Sequence, residues 1–165
     1  MSKSIPVSLT PVLAAVEAVA VEFEASDDFS YFGSNRWIRH LGMVKDDDVE
    51  HVAFLLDVAP TPLLAVYVVV RLPESSQRRS SLLTAISHAN SGLLPGCFEI
   101  DLKTGATRYR SVLTLFSLNI AAHDVAQLLS GALLTTKAYA SALQRVAASD
   151  VDPIETIDAL ETLSS

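Results

Sequence analysis

The chain of 165 residues has a formal net charge of −7, with 50% apolar and 19% charged residues and a mean hydropathy of +0.35. The acidic balance argues against binding to nucleic acid or to an anionic membrane, since both need clustered Lys and Arg, and it favours a basic partner. The surplus of apolar side chains predicts burial at a subunit or partner interface, so we expect a homodimer.

The sequence also predicts where the protein resides. Its most apolar run, Leu63 to Val70, has eight residues, whereas a membrane span needs about 20. No secretion signal is evident at the N-terminus. Cys97 is the single cysteine and cannot form an intramolecular disulfide. We therefore expect a soluble cytoplasmic protein.

The N-terminal half predicts one helix followed by three strands. Thr10 and Pro11 mark a helix start, because an N-cap hydroxyl precedes a proline, and apolar residues then recur at helical spacing as far as Phe23. Apolar and β-branched runs bounded by acidic or proline-containing turns predict strands at Trp37 to Leu41, Val49 to Val58 and Leu63 to Arg71. The last run does not alternate in polarity, which is typical of a strand covered on both faces. Helices can cover one face and a partner the other.

The next segment predicts a helix and a β-hairpin. The helix runs from about Ser76 to Ser91, and the hairpin from Cys97 to Phe116 has its turn at 103–106. With Leu102 opposite Thr107, Glu99 faces Arg110 and Asp101 faces Arg108. That register places both charged pairs on one face of the hairpin.

Two helices complete the chain. A long helix from about Ile120 to Ala147 contains Gly131, a candidate position for a bend, and Asp152 to Glu155 form a capping box before a short last helix. The predicted order is α-β-β-β-α-β-β-α-α. The predicted fold class is α+β, with a single, mainly antiparallel sheet of about five strands and helices packed on it.

Residues 82–147 carry a recognisable pattern. A helix ending in Asn is followed by a glycine, an aromatic strand, a D-x-x-x-G turn, an arginine-bearing strand and a long helix; the residues are Asn90, Gly96, Phe98, Asp101, Gly105 and Arg110. In this pattern the segment resembles the YbjN family, the bacterial sensory transduction regulators. The resemblance implies one YbjN-like domain over 1–165, with 1–8 and 148–165 peripheral, and the fold of type III secretion chaperones. It also implies a dimer that binds proteins or peptides and has no catalytic residues.

The sequence shows no catalytic or metal-binding motif. The four histidines lack the short spacing of a zinc site, and Cys97 lies in no nucleophile motif. His40 and His51 can meet across adjacent strands, but a metal site needs three or four ligands. We therefore expect a non-enzymatic protein without a cofactor or metal. The alternative is an enzyme with a non-obvious site near His40, His51 and Asp57, which would have to meet in a pocket.

Six residues are candidates for partner binding: Trp37, Tyr67, Glu99, Asp101, Arg108 and Arg110. Trp37 follows an aromatic cluster, which can anchor a partner or pack in the core. The charged residues of the hairpin form either a recognition face or ordinary cross-strand pairs. We expect a chaperone-like or regulatory module that binds a protein or peptide client at an edge or face of its sheet.

Overall fold

The fold is given by a computed structural model that describes residues 6–21, 28–41, 46–58, 60–73, 78–93, 95–116 and 119–163. After a short 3-10 turn at Val7–Leu9 come four helices: α1 (Thr10–Ala20), α2 (Arg79–Ala89), α3 (Ala122–Ala148) and α4 (Pro153–Leu163). The strands are β1 (Ser30–Gly33), β2 (Arg36–Leu41), β3 (Val49–Asp57), β4 (Leu63–Val70), β5 (Cys97–Ile100) and β6 (Thr107–Thr114).

The α+β class is confirmed, with one antiparallel sheet in the order β1-β2-β3-β4-β6-β5. It contains six strands rather than about five, because β1 was not predicted. This strand has only four residues and no alternation of polarity. Gly33 pairs with Arg36, and the two residues between them, Ser34 and Asn35, have φ of 50° and 62°. Positive φ at both positions is the geometry of a type I′ hairpin turn, which glycine usually supplies.

β3 and β4 form the centre of the sheet. Their residues are largely apolar or β-branched, and pairs such as Phe54 with Val66 and Val52 with Val68 are completely buried. Burying such side chains stabilises the fold by about 1.5–3 kcal/mol each. β6 then pairs with β4, which places the β5–β6 hairpin beside the three strands β2, β3 and β4.

The helices pack against one side of this sheet. α3 lies across β3, β4 and β6, α1 packs on α3, and α2 and α4 pack on each other and on α3. α3 continues through Gly131, and Asp152 Oδ1 caps α4 by accepting from the N–H groups of Ile154 and Glu155. Ile157 is fully buried, so α4 contributes to the core. Within the described ranges, no helix has the length and apolarity to cross a membrane.

The register of the β5–β6 hairpin differs from the prediction by two residues. Glu99 pairs with Arg108, and Phe98 pairs with Tyr109 in an edge-on aromatic contact with ring centroids 5.1 Å apart. The turn is longer than predicted because Asp101 Oδ1 accepts from two turn N–H groups and Gly105 has φ of 80°. A shift of two keeps the side chains of β5 and β6 on their predicted faces, while Asp101 and Leu102, which were predicted as strand residues, lie in the turn.

Candidate functional site

The side of the sheet opposite the helices is a candidate binding surface, which we call the open face. Partners across antiparallel strands point to the same side, and alternate residues along a strand point to opposite sides. The helix side carries core residues such as Phe54 and Tyr109. The open face consists of every second residue from Arg36 to His40 in β2, His51 to Asp57 in β3, Leu63 to Val69 in β4, Cys97 to Glu99 in β5 and Arg108 to Thr114 in β6.

An apolar row crosses the middle of the open face. Ile38, Leu55, Ala65 and Val112 are aligned from β2 to β6 by successive strand pairs. Val112 is 38% exposed, Ile38 and Leu55 are half-buried, and Ala65 is buried. None of the four belongs to the core shared by the sheet and the helices. A partner can therefore contact this row without displacing the core.

Beside this row, two guanidinium groups share one carboxylate. Arg108 Nε donates to Glu99 Oε1 at 2.7 Å, and Arg110 Nε lies 3.6 Å from Glu99 Oε2. The Arg108 guanidinium also lies 4.6 Å from the centroid of the Tyr67 ring, a cation–π contact, and Arg110 Nη2 lies 3.8 Å from Cys97 Sγ. We call Arg108 and Arg110 the arginine pair. The two arginines carry two positive charges and Glu99 carries one negative charge. One positive charge of the arginine pair is therefore not neutralised by Glu99.

Two histidines adjoin each other on β2 and β3. The ring centroids of His40 and His51 are 5.7 Å apart. Burial lowers the pKa of His51, and repulsion from His40 and Arg108 lowers it further, while Glu50 acts in the opposite direction. Because its ordinary pKa is about 6.5, His51 is mainly neutral at pH 7.

Four of the six predicted partner-binding residues lie together on the open face: Tyr67, Glu99, Arg108 and Arg110. Trp37 does not, because it is paired with Leu56 on the helix side. It is only 3% exposed and packs edge-on against Tyr31, with ring centroids 5.5 Å apart. Its ring therefore supports the packing of the sheet and is not an exposed anchor.

Asp101 is the sixth of these residues, and it lies in the turn after β5. Its Oδ1 accepts from the N–H groups of Lys103 and Thr104, at 2.8 and 3.3 Å. These hydrogen bonds lower the pKa of Asp101, and Arg108 and Lys103 add a smaller electrostatic contribution. Asp101 thus shapes the turn, and Arg108 takes Glu99 as its direct partner instead.

Of the residues named for the alternative enzyme site, His40 and His51 are adjacent but Asp57 is distant from them. Asp57 shares the open face with His51 but lies six residues further along β3, about 20 Å away, where its Oδ2 accepts from Arg36 Nε at 2.7 Å. Cys97 is four strands from His40 in the sheet order, about 19 Å away. Among the described residues, no group of three or more His, Cys, Asp or Glu is placed to hold a metal ion.

The two edges of the sheet are less suitable for binding an added strand than the open face is for binding a client. At β5, Asn90 Nδ2 donates to the Phe98 carbonyl at 2.9 Å and Asn90 Oδ1 accepts from the Phe98 N–H at 2.7 Å. The side chain thereby occupies both backbone groups that Phe98 would offer to a further strand. At the other edge, β1 is short and its register shifts between Tyr31 and Gly33, which disfavours regular pairing. We therefore expect a client on the open face.

Sequence reasoning missed two features of this surface, the apolar row and the stacking of Arg108 on Tyr67. Both depend on the pairing of β4 with β6, in which paired residues are 39 positions apart in the sequence at Val69–Arg108 and 51 positions apart at Leu63–Thr114. The alternation of the hairpin did contain one usable signal. It places Val112 on the same face as the arginine pair, two residues beyond Arg110.

Comparison of the chain with protein-family models, with curated proteins and with solved structures found no match. The resemblance to the YbjN family and to type III secretion chaperones therefore stays a prediction. The chemistry of the open face is the basis for the function proposed below.

Proposed function

We propose that this chain is a non-enzymatic binding module that holds a segment of a protein or peptide against the open face of its sheet. The observation that carries this proposal is the one-sided packing of the sheet. The described helices cover one side, while the apolar row and its polar neighbours occupy the other. Exposed apolar surface rimmed by polar groups is typical of a site of protein contact.

The dimensions of the open face suit a short segment. Strands spaced about 4.8 Å apart and rising about 3.4 Å per residue give the sheet an area of roughly 650 Å². A standard interface buries about 800 Å² on each partner. A strand or an apolar helix can therefore rest on the face and bury a large part of it.

A chaperone-like or regulatory role follows from the same features. The apolar row is shallow, and only Val112 among its four members is exposed beyond a third of its surface. A shallow row gives few deep pockets for hot-spot residues, so we expect reversible binding of modest affinity. Reversible binding of a client segment is what both a chaperone and a contact-dependent regulator require.

The proposal is tested with peptides selected from a phage-displayed random library on the wild-type protein. Val112→Gln removes the most exposed apolar contact of the row, and we expect it to weaken binding of the selected peptides about ten-fold, as the loss of one apolar side chain implies. The control is Leu134→Gln, which makes a similar change at a 70% exposed position of α3. Selection of no binder, or equal loss of binding in the two variants, contradicts the proposal.

A further inference from the structure

The open face differs in charge from the chain as a whole. The sequence has a net charge of −7. On the open face, Arg36, Arg108 and Arg110 stand against Asp57 and Glu99, an excess of one positive charge (three minus two). Arg36 and Asp57 form a direct pair at 2.7 Å. The unbalanced charge therefore belongs to the arginine pair.

The arginine pair keeps hydrogen-bond donors for a ligand. The side chains of Arg108 and Arg110 are 36% and 41% exposed. Arg108 uses its Nε for Glu99, and the contact of Arg110 Nη2 with Cys97 Sγ is a weak one. The remaining guanidinium N–H groups form planar forks, which match the two oxygens of a carboxylate.

We infer that the segment held on the open face is acidic, with a carboxylate seated on Arg108 and Arg110 and an apolar side chain on Val112. This inference rests on the function proposed above and specifies its partner. Arg110 and Val112 are two residues apart on β6, about 7 Å. Residues i and i+2 of an extended segment have the same spacing and point to the same side. A segment that alternates acidic and apolar residues therefore matches both positions at once.

A basic segment fits this surface poorly. Glu99 is the carboxylate beside the arginine pair on the open face, and two guanidinium groups already share it. Asp101 lies near Arg108, but its Oδ1 is occupied by turn N–H groups. A third carboxylate, that of Glu50, lies next to His51 on β3. A Lys or Arg placed over the pair would meet two like charges at short range, which is destabilising.

The test measures anisotropy of a fluorescein-labelled peptide of alternating Glu and Val against the full chain at low ionic strength, beside a peptide of alternating Lys and Val. We expect the acidic peptide to bind more tightly. Arg110→Gln should weaken its binding about ten-fold, the value of one charge-assisted hydrogen bond. Glu99→Gln should tighten it several-fold, because the arginine pair then has no internal carboxylate. Arg145→Gln, the same charge change on an exposed residue of α3, should leave it unchanged.

The outcomes separate this inference from the function on which it rests. Equal or tighter binding of the basic peptide, or weaker binding after Glu99→Gln, overturns the acidic partner. If the library-selected peptides still depend on Val112 but not on Arg110, the acidic partner is also wrong, and the binding function stands. If no peptide binds at all, both fail. Because Glu99→Gln is expected to increase affinity, loss of folding cannot imitate the expected result.

Discussion

Single side chains decide which parts of this sheet are available. The side chain of Asn90 has an amide NH2 group that donates and a carbonyl oxygen that accepts, and Phe98 offers the complementary pair of backbone groups. Neither Asp nor Leu can make both bonds, so the carboxamide of Asn90 is what closes the β5 edge at Phe98. The sequence places Asn90 at the end of a helix, but its partner is a strand that the chain reaches only eight residues later.

His51 gives the protein a predictable response to pH. Burial and nearby positive groups lower its pKa in the folded state, whereas in the unfolded chain it titrates near the ordinary value of about 6.5. Below that pH the unfolded state binds more protons, so the free energy of unfolding falls as the pH decreases from 7.5 towards 5.5. Carboxylates with lowered pKa, such as Glu17 and Asp46, lose their contribution only at more acidic pH.

Urea unfolding of the wild type and of His51→Gln at pH 7.5 and 5.5 measures this effect. We expect the variant to lose less stability between the two pH values, because it lacks the titrating group. His123→Gln replaces a histidine with a 62% exposed side chain on α3 and is expected to retain the wild-type pH dependence. The explanation is wrong if His51→Gln and the wild type lose the same stability over this interval.

At the level of secondary-structure elements, the sequence predicted the side on which each residue of β5 and β6 lies but not its exact partner. Alternating polarity from Phe98 to Leu102 distinguishes registers that differ by one residue, since such a slip exchanges the two faces. It cannot distinguish registers that differ by two. The actual register is selected by the aromatic contact between Phe98 and Tyr109 and by the turn that Asp101 holds. β1 was missed for a related reason, because Ser34 and Asn35 supply turn geometry usually given by glycine.

Two glycines, Gly96 just before β5 and Gly131 within α3, should respond oppositely to replacement by alanine. A Cβ on Gly96 would lie 2.5 Å from the Arg110 carbonyl oxygen, so Gly96→Ala should destabilise the protein by about 1–3 kcal/mol. Gly131 is exposed within α3, and nothing lies within 4 Å of a Cβ placed there. Gly131→Ala should stabilise the protein by about 0.5–1 kcal/mol, because alanine favours the helix. Urea unfolding gives both values, and changes of the same sign would contradict the described packing.

On the scale of the whole molecule, the candidate site depends on contacts distant in sequence. The prediction selected Tyr67, Glu99, Arg108 and Arg110, yet only the adjacency of β4 and β6 makes them one surface. That adjacency requires α2 to carry the chain from the end of β4 to the outer strand β5 before β6 returns to the centre. Local polarity patterns do not indicate this path of the chain from β4 to β5. They could therefore identify the residues of the site but not their arrangement.

A homodimer is expected from the apolar composition and can be tested. The position of its interface determines which surface is free to bind a client. If a client occupies the open face, subunits must meet elsewhere, and exposed apolar residues such as Leu83 on α2 and Ile154 on α4 offer such surface. We expect sedimentation at micromolar concentration to give a dimer for the wild type and also for Val112→Gln. A wild-type monomer would contradict the dimer. A dimer that Val112→Gln converts into monomers would place a second copy on the open face and contradict the proposed site for a client.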